Sequence, residues 1–241
     1  MGKVFKKTYE TYYHDVDCRK EVLITSLVNY FGDIALAQSE ELGIGMDSLR
    51  RKNMAWVLYK WDIEVIQYPV YGEKLYVETE PIAMSRFYSH RTFKVTNEKG
   101  QVFCKALSMW LMIDTEKRRL IRLPESFYDI YGVDKKDKAQ KDEMEELQRE
   151  DFSEDFKIRY SDIDTNLHVN NCKYIDWALE VIPLEVVKTK HLKRLKIMYK
   201  KEVAYGHCIK SSCEKKDETH YIHRIISDEG QELTTAETFW Q

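Results

Sequence analysis

The sequence predicts an α+β fold that is built twice, each time from one long helix packed on an antiparallel β-sheet. The first supporting observation is that apolar residues recur at helical spacing once in each half, over 22–42 and over 170–182. The second is that each of these segments precedes four stretches of alternating apolar and polar residues, which are typical of strands with one buried face. The third is that short motifs of the first half reappear in the second.

In the first half, a strand is predicted at 4–13, ahead of the helix. The helix carries its apolar residues on one stripe, formed by Leu23, Leu27, Phe31, Ile34 and Ala35. Segments rich in Val, Ile, Tyr, Phe and Trp predict the four strands at 54–67, 73–83, 86–97 and 101–114. An Asn-Glu-Lys-Gly sequence predicts the hairpin turn between the last two strands. These elements define a first domain at 1–131.

The second half repeats this order. Its strands are predicted at 152–159, 191–203, 207–216, 219–227 and 232–240. Asn170 is a good N-cap for its helix, and Ser-Asp-Glu-Gly repeats the hairpin turn. Residues 132–151 are almost entirely charged and lack an apolar core, which indicates a solvated linker. We therefore expect a second domain at 152–241.

Three motifs align the two halves. The matched segments are 13–17 with 160–164, 71–72 with 205–206, and 98–101 with 228–231, at offsets of 147, 134 and 130 residues. A unit of roughly 100 residues is far longer than a solenoid repeat, so it indicates two copies of a small domain. A helix followed by a four-stranded meander buries its apolar stripe most simply across the concave face of the sheet. That arrangement is the hot-dog fold, here in tandem, although periodicity alone leaves ferredoxin-like and other α+β topologies open.

The segment DIDTNLHVNNCKYIDW at 162–177 is the strongest candidate for a catalytic site. Asp164, Asn166 and His168 alternate along the chain, so a turning backbone can gather their side chains on one side. They lie just before the second helix, where unpaired backbone N–H groups can hold an anion or a developing oxyanion.

The first half has lost this polar set. The exchanged positions are Asn166 with Arg19, His168 with Glu21, and Glu202 with Tyr68. An aspartate is present in both copies, as Asp17 and Asp164, which predicts that part of its role is structural.

Composition argues against several other functions. A formal charge of −3 disfavours general nucleic-acid binding, and no segment has the length and apolarity of a membrane span or signal core. No Gly-rich phosphate loop or G-x-S-x-G elbow is present. Five cysteines without paired spacing predict free thiols and a cytoplasmic location. The His and Cys residues between 207 and 223 fit no zinc-finger spacing, so we expect no metal.

Four segments together resemble a known family. They are KNMAWVLYKWDIEVIQYPVYGEKLYVET, GQVFCKALSMWLMIDTEKRRLIRLPES, DIDTNLHVNN and YKKEV. In wording and order they are similar to the acyl-acyl carrier protein (ACP) thioesterases of plants and bacteria, over nearly the whole chain. The resemblance implies hydrolysis of the thioester that joins a fatty acyl chain to ACP, which releases free fatty acid and ends chain elongation. It implies no protein-bound cofactor, since the substrate carries the phosphopantetheine.

By position, the family's catalytic set falls on Asp164, Asn166, His168 and Glu202. Many plant members have a cysteine directly after the glutamate, where this chain has Val203. A cysteine nucleophile at that point is therefore excluded.

The residue types suggest a role for each member of the set. Glu202 would act as general base or as nucleophile, and His168 would hydrogen-bond the water or the glutamate. Asn166 would fix the water or the thioester carbonyl, and Asp164 would orient Asn166 or the turn. Backbone N–H groups near Asn170 would complete an oxyanion site. The sequence does not decide between attack by water and attack by Glu202.

ACP is acidic, so its docking face should be basic, and the cations at 117–119 with Arg122, or those at 188–201, could supply it. The resemblance implies that the first domain binds the acyl chain. It implies no nucleic-acid or membrane partner, and the oligomeric state stays open, a homodimer included. Two rival functions remain, a hot-dog acyl-CoA thioesterase and a non-catalytic module that binds or senses acyl thioesters.

Overall fold

A computed structural model describes residues 2–134 and 144–241. The chain divides into two compact units. Among the described residues, the first unit holds 2–59 and 65–134, and the second holds 60–64 and 144–241.

The first unit contains one long helix and an antiparallel sheet. Its helices are α1 (Ile24–Glu41), α2 (Met46–Arg50) and α3 (Ser126–Tyr131), and its strands are β1 (Phe5–Glu10), β2 (Met54–Val65), β3 (Lys74–Met84), β4 (Tyr88–Thr96), β5 (Val102–Asp114) and β6 (Arg119–Leu120). The sheet order is β1-β3-β4-β5-β2, with β6 beside β5. Helix α1 packs on β1 and β3, and the side chains of Leu27, Phe31 and Ile34 on its inner face are fully buried. The predicted helix and strands are confirmed to within a few residues.

Two short helices and strand β6 were not predicted. They surround a second apolar cluster of the first unit, formed by Ile44, Leu49, Met84, Met112, Leu123, Phe127, Tyr131 and Val133. Helices of five or six residues are too short to show a helical period, so the sequence carries little signal for them.

The second unit repeats the architecture. Its helices are α4 (Asn171–Glu180) and α5 (Leu184–Thr189), and its strands are β7 (Phe152–Lys157), β8 (Leu192–Tyr199), β9 (Cys208–Lys215), β10 (His220–Ser227) and β11 (Glu232–Trp240). The strand order is β8-β11-β10-β9-β7, every pair is antiparallel, and residues 60–64 pair with β8. Helix α4 packs on β9 and β10. Both predicted hairpin turns are present, each closed by a glycine at positive φ, Gly100 at 78° and Gly230 at 77°.

Part of the predicted linker is anchored to the second unit. The backbone N–H groups of Gln148 and Arg149 donate to Glu214 Oε2 at 2.8 and 3.2 Å. Glu150 accepts from Lys210 Nζ at 2.6 Å and from the Ser212 hydroxyl at 2.8 Å. The centre of the predicted linker, 135–143, lies outside the described residues.

Within the described ranges, no helix combines the length and the apolarity needed to cross a lipid bilayer.

Candidate active site

The loop that carries the predicted residues begins at an ion pair between a buried aspartate and an exposed arginine. A 3₁₀ turn, Tyr160–Asp162, buries the Asp162 carboxylate, which accepts from the Arg159 backbone N–H at 2.8 Å and from its Nη2 at 2.9 Å. Burial acts to raise the pKa of Asp162, but the hydrogen bonds from Arg159 outweigh it and hold this pKa below its usual range. The pair was missed from the sequence, although its i, i+3 spacing is a recognisable capping signal.

Backbone hydrogen bonds close the loop tightly. A bridge joins Ile163 to Val169, and the Asp164 N–H donates to the His168 carbonyl at 2.8 Å. Between them, Leu167 adopts a left-handed conformation with φ of 66°, and its N–H donates to the Asp164 carbonyl at 3.1 Å. This geometry is uncommon for a residue other than glycine, so the surrounding bonds must hold it.

Asp164 organises the loop through its carboxylate. One oxygen accepts from the Asn166 backbone N–H at 2.8 Å, and the other from Asn166 Nδ2 at 3.3 Å. In the first half, Asp17 accepts from the Arg19 backbone N–H, also at 2.8 Å. The predicted structural role of the repeated aspartate is confirmed.

Glu202 lies beyond the end of a strand. The strand predicted at 191–203 is wrong past Tyr199, where β8 stops. The next two backbone N–H groups both donate to the Leu233 carbonyl, at 2.8 and 3.2 Å, and this shared acceptor breaks the regular ladder. The chain can therefore turn and present Glu202 to the loop.

The structure brings His168 and Glu202 together. His168 Nδ1 lies 3.2 Å from Glu202 Oε2, and the two side chains are 28% and 45% exposed. The Val169 N–H donates to the Val203 carbonyl at 3.0 Å, which ties the residue after the histidine to the residue after the glutamate. The pair is therefore fixed by backbone on both sides and remains open to solvent.

Helix α4 begins with the predicted side-chain cap. Asn170 Oδ1 accepts from the Cys172 N–H at 2.9 Å, and the Asn170 carbonyl accepts from the Lys173 N–H at 2.8 Å. The N–H of Asn170 itself donates to the Asp162 carbonyl. These groups are therefore occupied, contrary to the expectation that they would form an oxyanion site. Of the first three helical residues, Asn171 alone has an N–H without an acceptor among the described residues.

The first half builds the same loop. Lys20 has φ of 63°, the Asp17 N–H donates to the Glu21 carbonyl at 2.8 Å, and the Val22 N–H donates to the Pro69 carbonyl at 2.8 Å. Each of these features has its counterpart in the second half at the offset read from the sequence. The two halves therefore share backbone geometry around the candidate site.

The side chains on the first loop make a different arrangement. Arg19 Nε lies 3.0 Å from Asp17 Oδ2 and 3.4 Å from Glu21 Oε2. Here a cation neutralises two carboxylates, whereas the second half places an imidazole beside a carboxylate. The chemistry differs although the scaffold is common.

The two buried cysteines of the second unit are poor nucleophiles. Burial raises the pKa of Cys172 and of Cys213 to about 12 in each case, so both thiols stay protonated near neutral pH. Val203 occupies the position after the glutamate and is buried. Neither of these two thiols therefore supplies a thiolate, and the residue after Glu202 is not a cysteine.

The histidines near the C-terminus have separate partners. These contacts are His207 with Asp228 at 3.1 Å, His220 with Glu237 at 3.4 Å, and His223 with Thr238 at 2.8 Å. In residues 2–134 and 144–241, no three His, Cys, Asp or Glu side chains are grouped so that they could hold a metal ion.

Several known proteins are similar to this chain. Palmitoyl-acyl carrier protein thioesterase, chloroplastic, of Gossypium hirsutum is 25% identical over 265 residues, covering 100% of this chain and 64% of the relative. An acyl-ACP thioesterase from Bacteroides thetaiotaomicron is 24% identical with a TM-score of 0.90, covering 99% of this chain and 98% of that one. The 12:0-ACP thioesterase from Umbellularia californica is 22% identical with a TM-score of 0.86, covering 99% and 97%. The chain thus spans slightly less than two thirds of the Gossypium relative.

The structural matches confirm the predicted fold, a tandem of two hot-dog units. Two family models match in sequence order. The one described as Acyl-ACP thioesterase N-terminal domain matches residues 2–131, and the one described as Acyl-ACP thioesterase C-terminal domain matches residues 145–241. The chain therefore belongs to the acyl-ACP thioesterase family.

Proposed function

We propose that this chain hydrolyses the thioester of fatty acyl-ACP and releases a free fatty acid. The observation that carries the proposal is the contact of 3.2 Å between His168 and Glu202, on a loop that the first half repeats without either side chain. Membership of the family supports the choice of substrate, because the relatives named above are thioesterases of acyl carrier proteins.

The proposed reaction forms a bond between a water oxygen and the acyl carbon and breaks the carbon–sulfur bond. Glu202 takes the proton from the water, or attacks the carbon itself to give an anhydride that water then cleaves. Because Glu202 engages His168 through Nδ1, the opposite nitrogen is left to hold the water or to protonate the leaving sulfur. The phosphopantetheine thiol leaves with that proton, so the reaction uses no cofactor of the protein.

The oxyanion needs donors that are not already used. The Asn171 N–H at the start of α4 meets this requirement, and Asn166 Nδ2 carries a second hydrogen besides the one that it donates to Asp164. Asp164 then serves to hold Asn166, since its carboxylate accepts from both N–H groups of that residue. Donors of this kind lower the barrier because charge develops next to them during the reaction.

The direct test is release of free fatty acid from a panel of acyl-ACPs. We expect hydrolysis by the wild-type chain, and a loss on the order of 100-fold or more for Glu202→Gln and for His168→Ala. Glu21→Ala is the matched control, because Glu21 takes the place of His168 in the first half. If Glu202→Gln and His168→Ala both stay within a few-fold of wild type, the assignment of the site is wrong.

The same assay separates the rival functions. An acyl-CoA thioesterase would cleave acyl-CoA faster than acyl-ACP with the same acyl chain. A binding or sensing module would retain either thioester and release no acid. The side chains of the two copies disfavour such a module, since simple binding gives no reason for one copy to have His168 and Glu202 where the other has Glu21 and Tyr68.

The docking face for ACP is proposed on the first unit. Exposed cations at 50–52 and at 117–119 lie in neighbouring segments, because the Thr115 N–H donates to the Asn53 carbonyl at 2.9 Å. Arg122 is exposed beyond the same hairpin. Such a cluster complements an acidic partner and speeds its association.

The alternative region at 188–201 is less suitable, because cations there form ion pairs that are shorter than the contact of 3.9 Å between Lys117 and Asp114 in the favoured region. Arg194 forms a two-point ion pair with Asp62, and Lys200 lies 2.6 Å from Glu232. Charge that is already neutralised adds little attraction for an acidic carrier. We therefore favour the surface of the first unit.

Charge reversal tests the docking face. The combined variant Arg51→Glu, Arg119→Glu should raise KM for acyl-ACP by about 10-fold or more and weaken its dependence on salt. Hydrolysis of a short thioester without the carrier should not change. Lys188→Glu is the control, because it changes the charge by the same amount per substitution outside the proposed docking face. Equal effects on the carrier-bound and carrier-free substrates would remove electrostatic docking from the proposal.

The first unit is also proposed to bind the hydrocarbon chain. Its loop has lost the reactive side chains, while its helix α1 keeps a buried apolar face. Substitutions on that face should therefore change the preferred acyl length.

A reducing compartment such as the cytoplasm suits the five free cysteines, and the Gossypium relative is chloroplastic.

A further inference from the structure

Tyr174 has a hydroxyl whose position packing alone does not explain. It lies in the first turn of α4 with 2% of its surface exposed, and its ring meets those of Trp177 and Tyr199 edge-on at 5.5 and 5.8 Å. The phenol oxygen lies close enough to the Val203 backbone for a weak hydrogen bond, but within residues 2–134 and 144–241 the hydroxyl makes none of normal geometry. Burying a polar group in this way costs free energy that a phenylalanine would avoid.

The first half shows that the packing does not need this hydroxyl. At the offset of 147 residues, Tyr174 corresponds to Leu27, which is fully buried under α1. The same exchange accompanies the loss of His168 and Glu202 from the first loop. The buried hydroxyl therefore occurs in the half that carries the hydrolytic side chains.

The surroundings of the ring place it beneath the site. Val169 precedes the cap of α4 and Tyr174 follows it by four residues, the two positions that pack together at many helix starts. Val169 is buried and bonds through its N–H to the carbonyl of Val203, which is also buried and directly follows Glu202. The tyrosine thus lies on the inner side of the segment that presents the carboxylate.

The electrostatics agree with this placement. Burial raises the pKa of Tyr174, a hydrogen bond from the Val203 backbone to the phenol oxygen lowers it, and the charges of Glu202 and Asp164 raise it further. The phenol is therefore protonated at neutral pH and can act as a donor toward negative charge.

We propose that Tyr174 is a positioning residue of the hydrolytic site, whose hydroxyl donates to the Glu202 carboxylate from the protein interior in the substrate complex. This inference rests on the proposed function. Hydrogen bonds of catalytic groups are often unformed without substrate and tighten when it binds, so a hydroxyl whose own hydrogen has no acceptor in the free protein fits this role. The bond would hold the carboxylate at His168 and keep it ionised.

The test is Tyr174→Phe, which removes one oxygen and keeps the ring. We expect kcat for acyl-ACP to fall about 10-fold while KM stays within about two-fold, since the hydroxyl orients a catalytic group and does not bind the carrier. A carboxylate that loses a donor has a higher pKa, so the acid limb of the profile of kcat against pH should move to higher pH. Resistance to urea should be equal to wild type or greater.

Tyr199→Phe is the control. Its hydroxyl donates to the Asn171 carbonyl at 3.1 Å, so its removal deletes a real hydrogen bond from a neighbouring ring. This variant should lose resistance to urea without a shift of the acid limb.

Unchanged kcat and an unchanged acid limb in Tyr174→Phe would overturn the inference while the wild type still hydrolyses acyl-ACP. A lower kcat accompanied by lower resistance to urea and no shift in pH would also overturn it, because those changes indicate a structural role. A wild-type chain that releases no fatty acid from any acyl-ACP would refute the proposed function itself, and with it this inference.

Discussion

His168 Nδ1 lies 3.2 Å from Glu202 Oε2, next to the backbone bond between Val169 and Val203. Because each side chain acts through the other, their contributions to turnover should not add. We expect the double variant His168→Ala, Glu202→Gln to lose about as much kcat as the more severe single variant, on the order of 100-fold. Single-turnover measurements of fatty acid release check this. A loss equal to the product of the two single losses would show that the residues act independently.

Replacing Asp164 separates its structural and catalytic contributions. Asp164→Ala removes the acceptor of two Asn166 N–H groups, so it should cost about 1 kcal/mol of unfolding free energy and at least about 10-fold in kcat. Asp17→Ala should cost at least as much free energy, because Asp17 accepts from the backbone N–H groups of Arg19 and Glu21, and it should leave fatty acid release unchanged. Urea denaturation and the hydrolysis assay together make the comparison. An equal loss of kcat in both variants would contradict a special role for the second loop.

The left-handed backbone at Leu167 predicts a specific order of stabilities. Leu167 has φ of 66° and is 77% exposed, so its side chain contributes little burial to offset the strain. Leu167→Gly should raise the unfolding free energy by about 0.5 kcal/mol or more, whereas Leu167→Val should lower it by about 1 kcal/mol, because a branched Cβ opposes positive φ. Lys20→Gly should behave like the first of these, since Lys20 has φ of 63°. Equal stability of the glycine and valine variants would argue against strain.

His223 should make the protein sensitive to acid. Burial lowers its pKa to about 3, and the neighbouring His220 acts in the same direction. Between about pH 6.5 and pH 3 the unfolded chain binds a proton that the folded chain does not, so stability falls as the pH is lowered through this range. The slope from this residue approaches about 1.4 kcal/mol per pH unit.

The variant His223→Gln tests this effect, because its side chain does not titrate. Its unfolding free energy should vary less with pH than that of the wild type, as measured by urea denaturation between about pH 4 and pH 7. Parallel curves for the two proteins would show that other groups determine the sensitivity to acid.

The sequence predicted the regular elements well because their periods are long and consistent. Helix α1 and the strands of both halves follow apolar patterns over many residues, and the structure confirms them to within a few positions. The end of β8 could not be predicted in this way. Past Tyr199 the chain reads Lys-Lys-Glu-Val, which does not mark where the strand ends, and the strand stops at Tyr199 because two consecutive N–H groups share the Leu233 carbonyl. That acceptor lies on a strand distant in sequence, so no local pattern encodes it.

The candidate residues were found by other signals, which are the polar loop before the second helix, the resemblance to the family and the difference between the two copies. Comparing position 168 with position 21 singled out the histidine, whereas the contact between His168 and Glu202 depends on how two segments meet in space. The same comparison would have singled out Tyr174, whose counterpart is Leu27. Both residues fit an apolar helical face, so the difference was interpreted as a packing difference. The sequence also could not show which backbone N–H groups at the start of α4 lack an acceptor. The folded loop determines this, because it places the Asp162 carbonyl beside the Asn170 N–H.

The duplicated loop separates framework from chemistry within one polypeptide. After a gene duplication, one copy was free to change its side chains while its peptide skeleton, with the left-handed residue at 20 and the aspartate at 17, was retained. For protein engineering, the N-terminal copy is consequently a scaffold that has the loop backbone without the hydrolytic side chains. Replacing Arg19, Glu21, Leu27 and Tyr68 by their C-terminal counterparts would test whether this backbone supports hydrolysis once the side chains are supplied.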